Sequence, residues 1–387
     1  MKHIYTRLGG ALCTLLLACY CLALNAETQN QVSSDSVIIG YVFSPDKPLD
    51  PDTIAAEKLT HINYAFSNIE DNKIVNGFDF DDQNYRSLQT LKERNPTLKI
   101  LSSVGGWTWS GEFSDMALTQ QSRQAFIDSA VAFVRRHQLD GIDIDWEYPG
   151  LAGAGNTHRP EDGENFTLVL KGLREAFDAL EQELERPLLI TIATGGFADY
   201  LAKSDIQNWH PYLDYLNIMA YDFNFPRNGG VTGHHTALYS HPDDSGGQSA
   251  DAAVKNHLAQ GVPPQKLVLG LAFYGRVWTE VGEDNAGFRQ PGNAGEASFG
   301  GASYTNLSSN VIGQKGFVRH WDNLAQAPWL WNPQERTFVS YDDPQSVTAK
   351  VHYARDKGLA GVMFWQYTSD YQHELLNAIN AAAGRQP

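Results

Sequence analysis

Residues 140–147, with the sequence Asp-Gly-Ile-Asp-Ile-Asp-Trp-Glu, constrain the fold of this chain more than any other segment. The acids Asp143, Asp145 and Glu147 are two positions apart, with large apolar residues between them. In a β-strand, residues two positions apart share one face, so the carboxylates lie on one side and the apolar side chains on the other. The pattern predicts a strand that packs its apolar face against helices and turns its acidic face toward a barrel interior, with Glu147 nearest the carboxyl-terminal rim.

Short apolar runs alternate with amphipathic helical patterns along most of the chain. Several runs are nearly continuous in Val, Ile and Leu, as is typical of parallel strands buried on both faces. The predicted strands are residues 37–44, 59–69, 98–104, 139–147, 188–194, 213–221, 266–273 and 359–366. Helical patterns between them include residues 121–137, 165–184 and 345–357. Eight strands joined mostly through helices predict an α/β fold, a closed (β/α)8 TIM barrel, with an open doubly wound sheet as the alternative.

One interval breaks this alternation. Residues 278–343 are too long for a βα loop and are rich in Gly, Asn and aromatic residues. Long loops without secondary structure are uncommon in compact domains, so we predict a small α+β subdomain inserted between barrel strands 7 and 8. Residues 37–387 would then form one barrel domain, preceded by a flexible polar segment at 27–36.

The first 26 residues have the pattern of a secretory signal peptide. A positively charged start is followed by an apolar run over 11–24, too short for a comfortable membrane span, and by a small-residue cleavage site at 24–26. Residues 16–19 partly resemble a lipid-attachment box, which leaves a lipid anchor on Cys19 as a minor alternative, and a retained amphipathic anchor is another. We expect a protein that is secreted, extracellular or periplasmic, with no membrane association in its mature form.

Cysteine content and charge exclude several classes of function. All three cysteines lie within residues 1–26, so the mature chain would have no disulfide and no thiol for catalysis or metal binding. The net charge is −16, and removal of residues 1–26 would take away two further positive charges. Such a surface repels nucleic acid and anionic membranes and is compatible with a neutral substrate.

The three acids of the predicted strand also predict a particular chemistry. Carboxylates on neighbouring positions of one buried face cannot all be ionised at low energy, so at least one should be protonated near neutral pH. A carboxylic acid held protonated at a cleft can act as a general acid toward a glycosidic oxygen. A solvated acidic face and a calcium loop are the alternatives, but a calcium loop needs Gly and an acid where Tyr148 and Ala154 stand.

Residues 140–147 resemble the Asp-x-x-Asp-x-Asp-x-Glu signature of family 18 glycoside hydrolases, the chitinases and their relatives. Three further segments are similar to motifs of that family at barrel strand ends: Ser-Val-Gly-Gly at 103–106, Met-Ala-Tyr-Asp at 219–222 and Phe-Tyr-Gly-Arg at 273–276. Trp365 matches the family's last strand. The order of these motifs along the chain makes the resemblance specific, although each short motif alone is weak.

The resemblance covers about residues 37–371 and points to the bacterial chitinase type with an α+β insertion. It implies hydrolysis of β-1,4 bonds between N-acetylglucosamine units by substrate-assisted retaining catalysis, an exception to the usual two-carboxylate scheme. Glu147 would protonate the leaving oxygen and later activate water. Asp145 would orient the acetamido N–H of the substrate, and Asp143 would share a proton with Asp145. The resemblance implies no cofactor and no metal.

The resemblance also assigns expected contacts in the cleft. Tyr221 would hydrogen-bond the acetyl carbonyl, Met219 would close the acetyl pocket, Asp222 would contact the sugar at the cleavage point, and Trp365 would form the floor. The alternatives are that Trp365 belongs to the ordinary core and that Tyr221 and Asp222 cap the end of a strand. The remaining expected substrate-binding residues are Tyr274, Arg276, Trp107, Tyr148, Tyr41 and Phe66, and the expected structural residues are Asp140, Ser103, Gly105 and Gly106.

Two other functions stay open from the sequence. One is an endo-β-N-acetylglucosaminidase that acts on the chitobiose core of N-glycans, and the other is a chitin-binding lectin without catalysis, which the intact Glu147 disfavours. We expect chitin or N-acetylglucosamine oligosaccharides as partners, no nucleic acid and a monomeric protein. The His234-His235 pair lies in a Gly-rich loop, and we expect it to be solvated rather than to ligate a metal.

Overall fold

The computed structural model describes residues 36–244 and 246–385. The predicted signal peptide at 1–26 and nearly all of the predicted flexible segment at 27–36 lie outside the described residues. Within these two ranges, no helix combines the length and the apolar character needed to cross a membrane.

Strands and helices alternate through most of the described chain. The strands are β1 (Val37–Phe43), β2 (His61–Glu70), β3 (Lys73–Val75), β4 (Lys99–Gly105), β5 (Gly141–Asp145), β6 (Leu189–Gly195), β7 (Tyr215–Met219), β8 (Gly230–Val231), β9 (Leu267–Ala272), β10 (Arg276–Thr279), β11 (Pro291–Ala294), β12 (Val318–Asp322), β13 (Ala327–Asn332), β14 (Thr337–Ser340) and β15 (Gly361–Trp365). The α-helices are α1 (Asp81–Thr90), α2 (Phe113–Leu118), α3 (Gln120–His137), α4 (Asp162–Leu184), α5 (Ala198–Lys203), α6 (Ile206–Trp209), α7 (Ala250–Ala259), α8 (Tyr304–Asn310), α9 (Pro344–Asp356) and α10 (Glu374–Ala382).

Eight of these strands form a closed parallel barrel. Around the barrel the order is β1, β2, β4, β5, β6, β7, β9 and β15, and β15 pairs with β1 to complete the circle. The predicted (β/α)8 barrel is therefore confirmed, and each predicted strand overlaps one barrel strand. Their near-continuous burial explains the Val, Ile and Leu runs, because helices cover the outside and side chains fill the inside.

The three predicted helices are present with nearly the expected bounds, and local capping explains where two of them begin. Thr119 and Ser122 form a capping box at the start of α3. Asp343 and Ser346 form another at the start of α9, where Pro344 occupies the first helical position and loses no intrahelical hydrogen bond.

The register of the strands determines which side chains meet inside the barrel. Ser103 of β4 and Thr191 of β6 are both aligned with Asp143 of β5. On the outer face of the same strand end, the indole of Trp146 stacks on Phe113 at 5.3 Å and contacts the edge of Phe166. The alternating pattern therefore places acids inside and apolar residues against α2 and α4, as predicted.

Asp140 lies at the amino-terminal end of β5, away from the barrel's carboxyl-terminal rim. Its carboxylate is within 3.1 Å of Lys92 and Arg186, and it accepts a 2.8 Å hydrogen bond from the backbone N–H of Ile100. These contacts connect β5 to its neighbours at the base of the barrel.

A separate antiparallel sheet lies between β9 and the last barrel strand. Its order is β12-β13-β14-β10-β11-β8, so most of it falls in the predicted insertion at 278–343. The sheet begins slightly earlier, at Arg276, and also includes the short strand β8 from the connection after β7. That connection crosses to the insertion, which brings the segments after β7 and β9 together at the carboxyl-terminal end of the barrel.

Candidate active site

A cleft of about 910 Å³ opens at the carboxyl-terminal end of the barrel strands. It is mostly aromatic and contains a few polar groups. The lining residues are Phe43, Phe66, Phe78, Trp107, Thr108, Trp109, Asp145, Glu147, Tyr148, Gly195, Gly196, Phe197, Met219, Tyr221, Asp222, Phe223, Phe225, Gln248, Tyr274, Arg276 and Trp365. An apolar cleft with convergent polar groups at this end of a barrel is the expected position of an active site.

Asp143 and Asp145 of β5, and Glu147 just beyond the end of that strand, are progressively more exposed toward this cleft. Asp143 is 0% exposed and does not line it, whereas Asp145 and Glu147 are 5% and 8% exposed and both reach it. The spacing of two residues that appears in the sequence therefore becomes a difference in depth at the carboxyl end of β5, which stops at Asp145 rather than at the predicted Glu147.

Four hydrogen bonds from four different strands surround Asp143. Tyr41 and Ser103 donate to Oδ2 at 2.8 and 2.7 Å, and Thr191 and Asn217 donate to Oδ1 at 2.6 and 3.1 Å. Burial raises the pKa of Asp143 above its ordinary value, and these hydrogen bonds reduce that rise. Tyr41 is 1% exposed, so it contacts Asp143 beneath the cleft rather than the open space where substrate contact was expected.

Asp145 occupies the next level and is poorly solvated. Its Oδ1 is buried without a hydrogen-bond partner among the described residues. Burial, together with the negative charges of Glu147 and Asp143, raises the pKa of Asp145 well above its usual range. A buried carboxyl oxygen without a partner can form a hydrogen bond with a polar group of a ligand bound in the cleft.

Glu147 lies at the end of the acid series, at the floor of the cleft. Burial raises the pKa of Glu147 to about 7, an effect that Tyr148 opposes and Asp222 reinforces. A carboxyl group with a pKa near neutrality can donate a proton in one step and accept one in the next. The tyrosine ring also packs against Trp107, at 6.5 Å between ring centres, on the cleft wall.

The loop after β4 holds the backbone of Glu147. Gly105 and Gly106 have φ of 106° and 85°, and a Cβ on Gly105 would lie 2.5 Å from the carbonyl oxygen of Asp145. Only glycine tolerates that conformation and that contact without strain. Ser110, a residue that the sequence did not single out, accepts a 2.8 Å hydrogen bond from the N–H of Glu147 and donates to the carbonyl of Gly106 at 2.9 Å.

Asp222 connects the segments that follow β7 and β9. Arg276 donates two hydrogen bonds of 2.6 Å to its two carboxylate oxygens, and the hydroxyl of Tyr274 donates one of 2.9 Å. Burial alone would raise the pKa of Asp222, but the hydrogen bonds and charges of His235 and Arg276 hold it well below its usual range. Asp222 is therefore an ionised residue that fixes two cleft-lining residues in position.

The expectation that His234 and His235 are solvated is wrong. They are 4% and 0% exposed. His235 Nδ1 lies 3.4 Å from Oδ1 of Asp222, and His234 Nε2 lies 3.0 Å from a carboxylate oxygen of Asp322 in the insertion. The connection after β7 returns under the insertion sheet, where the backbone N–H of His235 donates a 2.8 Å hydrogen bond to the hydroxyl of Ser340. A Gly-rich sequence gives no sign of this packing.

Trp365 forms part of the floor of the cleft and is half-buried rather than enclosed in the core. Its ring stacks on Phe66 at 5.4 Å and is 5.9 Å from both Tyr41 and Phe43. The exposed part of the indole and the ring of Tyr221 therefore border the same space above Asp145. Met219 lines this space as well.

Several cleft aromatics were not predicted. Phe43 and Phe78 lie 5.8 Å apart, and Trp109 is 4.9 Å from Phe78, next to β1 and β2. Phe197, Phe223 and Phe225 lie across the barrel, after β6 and β7. Trp109 could have been suspected, since it follows Trp107 by two positions on the glycine loop, and Phe43 is the last residue but one of a predicted strand. The loop phenylalanines have no sequence pattern that separates them from core residues.

No group of three or more His, Cys, Asp or Glu side chains in the described ranges has a geometry suited to a metal ion. The charged side chains that line the cleft are instead Asp145, Glu147 and the ion pair of Asp222 with Arg276, and Asp143 lies beneath them.

A glutamic acid whose pKa is raised to about 7, in an aromatic cleft at the carboxyl-terminal end of a TIM barrel, is suited to the general acid step of a glycoside hydrolase. The sequence model described as "Glycosyl hydrolases family 18" matches residues 22–370. The chain therefore belongs to family 18 of the glycosyl hydrolases.

Similar proteins have chitin-related names. Chitinase A1 of Niallia circulans is 40% identical over 310 residues, which are 77% of this chain and 44% of that relative, so the chain spans less than half of its length. A family 18 N-acetylglucosaminidase from Paenibacillus barengoltzii has a TM-score of 0.81 at 40% identity, covering 90% of this chain and 99% of that one. A class V chitinase from Nicotiana tobaccum, solved in complex with NAG4, has a TM-score of 0.80 at 26% identity, covering 90% and 99%.

Proposed function

We propose that this protein is a secreted chitinase that hydrolyses β-1,4 bonds between N-acetylglucosamine units with retention of configuration at the anomeric carbon. The observation that carries the proposal is the buried carboxyl of Glu147, which lines the cleft two residues after Asp145 and whose pKa burial raises to about 7. The names of the similar proteins support N-acetylglucosamine polymers as the substrate class.

The state of the other carboxyl groups supports substrate-assisted catalysis. The carboxyl groups that line the cleft in the described part of the chain are those of Asp145, Glu147 and Asp222. Asp222 is committed to a bidentate ion pair with Arg276. Asp145 ends β5 only two residues before Glu147, so it does not face Glu147 from another strand across the cleft. A retaining enzyme that uses a carboxylate nucleophile needs a free second carboxylate across the scissile bond, so we assign the nucleophile to the acetamido oxygen of the substrate.

In the proposed first step, Glu147 gives its proton to the glycosidic oxygen while the acetamido oxygen attacks the anomeric carbon. The bond to the leaving sugar breaks, and a cyclic oxazolinium ion forms. Asp145, which shares its proton with Asp143, accepts a hydrogen bond from the acetamido N–H and offsets the positive charge that develops there, and Tyr221 orients the acetyl group. In the second step Glu147 removes a proton from water, which attacks the same carbon and restores the acetamide.

Hydrolysis of the N-acetylglucosamine hexamer by the purified protein tests the proposal, with products separated by size and anomer. We expect β-anomeric products from the wild type. The rate should be about 10²- to 10⁴-fold lower for Glu147→Gln, because an amide has no acidic proton to give to the leaving oxygen. Glu164→Gln, an exposed substitution on α4, is the matched control and should retain full activity. Inverted products, or an unaffected Glu147→Gln variant, would contradict the mechanism.

A second candidate is the release of single N-acetylglucosamine units, which the name of the Paenibacillus structure favours. The same hexamer assay separates the two, because early products of that activity are the monomer and the pentamer. A chitinase that holds several sugars would give mainly the disaccharide. Release of glycan from a glycoprotein without action on the hexamer would support the N-glycan alternative, and binding without cleavage would support a lectin.

Secretion and a monomeric state also belong to the proposal. Secretion is supported by the charged start, the apolar run and the small-residue site within residues 1–26. Amino-terminal sequencing of protein recovered outside the cytoplasm should begin at or near Glu27, and full-length protein retained in the cell would contradict it. Size-exclusion chromatography with light scattering measures the oligomeric state.

A further inference from the structure

A second cluster of charged side chains lies behind the cleft and is completely buried. The ammonium of Lys350 in α9 donates hydrogen bonds of 2.8 and 2.7 Å to the two carboxylate oxygens of Asp342, and both side chains are 0% exposed. The same ammonium donates a third hydrogen bond, of 2.7 Å, to the hydroxyl of Thr236. Apolar residues of similar volume often stabilise a fold as well as a buried ion pair does, so stability alone is a weak reason for such a cluster.

The cluster contacts the segment that carries Tyr221 and Asp222. The hydroxyl of Thr236 donates a 3.1 Å hydrogen bond to the carbonyl oxygen of Ala220, the residue before Tyr221. Thr236 also follows His235, whose ring lies beside Asp222. The cluster therefore contacts this segment at Ala220, directly before Tyr221, and at Thr236, after the cleft-lining residues.

The cluster also contacts the segment that carries Tyr274. Oδ2 of Asp342 accepts a 3.1 Å hydrogen bond from the N–H of Ala272, the last residue of β9. Tyr274 follows two positions later and reaches across to Asp222 with its hydroxyl at 2.9 Å. The carboxylate of Asp342 thus contacts the backbone at the start of the segment after β9, and Lys350 contacts the segment after β7 through Thr236.

We infer that Lys350, Asp342 and Thr236 are positioning residues that hold the segment with Tyr221 and Asp222 against the segment with Tyr274. Three charged or polar side chains with several mutual hydrogen bonds allow one relative placement of the two backbones, whereas apolar contacts would tolerate small shifts. Misplacement of reacting groups by about 1 Å is enough to reduce a rate by as much as 10²-fold. The inference rests on the proposed roles of Tyr221 and Asp222 in hydrolysis.

The test uses Thr236→Val in the full chain, because this change removes the hydroxyl at nearly constant volume and leaves the ion pair intact. We expect kcat on the N-acetylglucosamine hexamer to fall about 10-fold with KM changed by less than about 3-fold, since the displaced groups act mainly in the transition state. Thr236→Ser, which restores the hydroxyl, should recover most of the lost kcat. Thr337→Val is the matched control, because Thr337 is 2% exposed and also donates to a carbonyl, but that carbonyl belongs to Glu335 in the insertion rather than to a residue next to Tyr221.

Each outcome decides the inference. A kcat within 2-fold of wild type for Thr236→Val, or no recovery with Thr236→Ser, overturns it and leaves the proposed function intact. If the Val variant does not fold, Thr236→Cys is judged by the same limits, since a thiol is a weak hydrogen-bonding group. A wild-type protein that cleaves no N-acetylglucosamine oligomer contradicts the proposed function, and the inference fails with it.

Discussion

The backbone N–H of Glu147 donates a 2.8 Å hydrogen bond to the hydroxyl of Ser110, which is 37 residues earlier in the chain. Ser110 is 0% exposed and is itself bonded to the carbonyl of Gly106. The general acid that we propose is therefore held at its backbone by the glycine loop of the preceding barrel strand. This relationship leads to the first of four predictions.

Replacing Ser110 by Ala should leave the buried N–H of Glu147 without a partner. We expect a loss of about 1–3 kcal/mol in the free energy of unfolding, together with a fall in kcat on the hexamer, because the carboxyl is no longer fixed. Chemical denaturation and steady-state kinetics measure the two effects. Ser308→Ala in α8, whose hydroxyl also donates to a backbone carbonyl, is the control and should leave kcat unchanged. An unchanged kcat in Ser110→Ala would show that the hydroxyl does not position Glu147.

The rate should decline on the alkaline side with an apparent pKa near 7. Glu147 must carry a proton to act as the acid, and burial raises its pKa to about 7. Because Asp145 and Glu147 titrate together, the measured value belongs to the pair rather than to one residue. The pH profile of kcat/KM from pH 4 to 9 reports it for the free enzyme. A profile that stays flat to pH 9 would exclude Glu147 as the acid that protonates the leaving oxygen.

Glu147→Gln should also change how stability depends on pH. The folded protein holds the proton of Glu147 more tightly than the unfolded chain does, since the pKa is about 7 against an ordinary 4.5. Wild-type stability therefore falls as the pH rises from about 4.5 to 7, and the variant lacks this loss. Above pH 7 the variant should be more stable by up to about 3 kcal/mol, with no difference below pH 4.

Denaturation of the wild type, Glu147→Gln and the control Glu164→Gln at pH 4 and at pH 8 checks this prediction. Glu164 is exposed, so its substitution should have little effect at either pH. Equal stabilities of the wild type and Glu147→Gln at pH 8 would mean that burial does not raise the pKa of Glu147.

Phe225 should contribute to substrate binding rather than to folding. Its ring is 55% exposed, lines the cleft and lies 4.6 Å from the guanidinium of Arg276. Phe225→Ala should raise KM for the hexamer about 5-fold, equivalent to about 1 kcal/mol of lost apolar contact, and leave the melting temperature unchanged. Leu324→Ala, at a residue that is 59% exposed outside the cleft, is the control. A KM equal to that of the control would place the sugar chain elsewhere.

Most of the barrel could be predicted from the sequence because the information is local. Continuous apolar runs indicate strands buried on both faces, and the alternation in 140–147 assigns each acid to one side of its strand. The glycines at 105 and 106 were expected to be structural, and their positive φ values explain why. An inserted α+β subdomain was predicted from length and composition, but the participation of β8 in its sheet was not, since two residues carry no strand pattern.

The succession of strands, the side of the strand on which the acids lie and the positions of the motif residues could be read directly from the amino-acid sequence. The burial of Tyr41 beneath the cleft, the position of His235 beside Asp222 and the pairing of Lys350 with Asp342 behind the site became visible only in the folded chain. These contacts join residues from different strands and connections, so they depend on strand register and on which surfaces become buried. The raised pKa of Glu147 has the same origin, because loss of solvent rather than residue type makes the proton hard to remove.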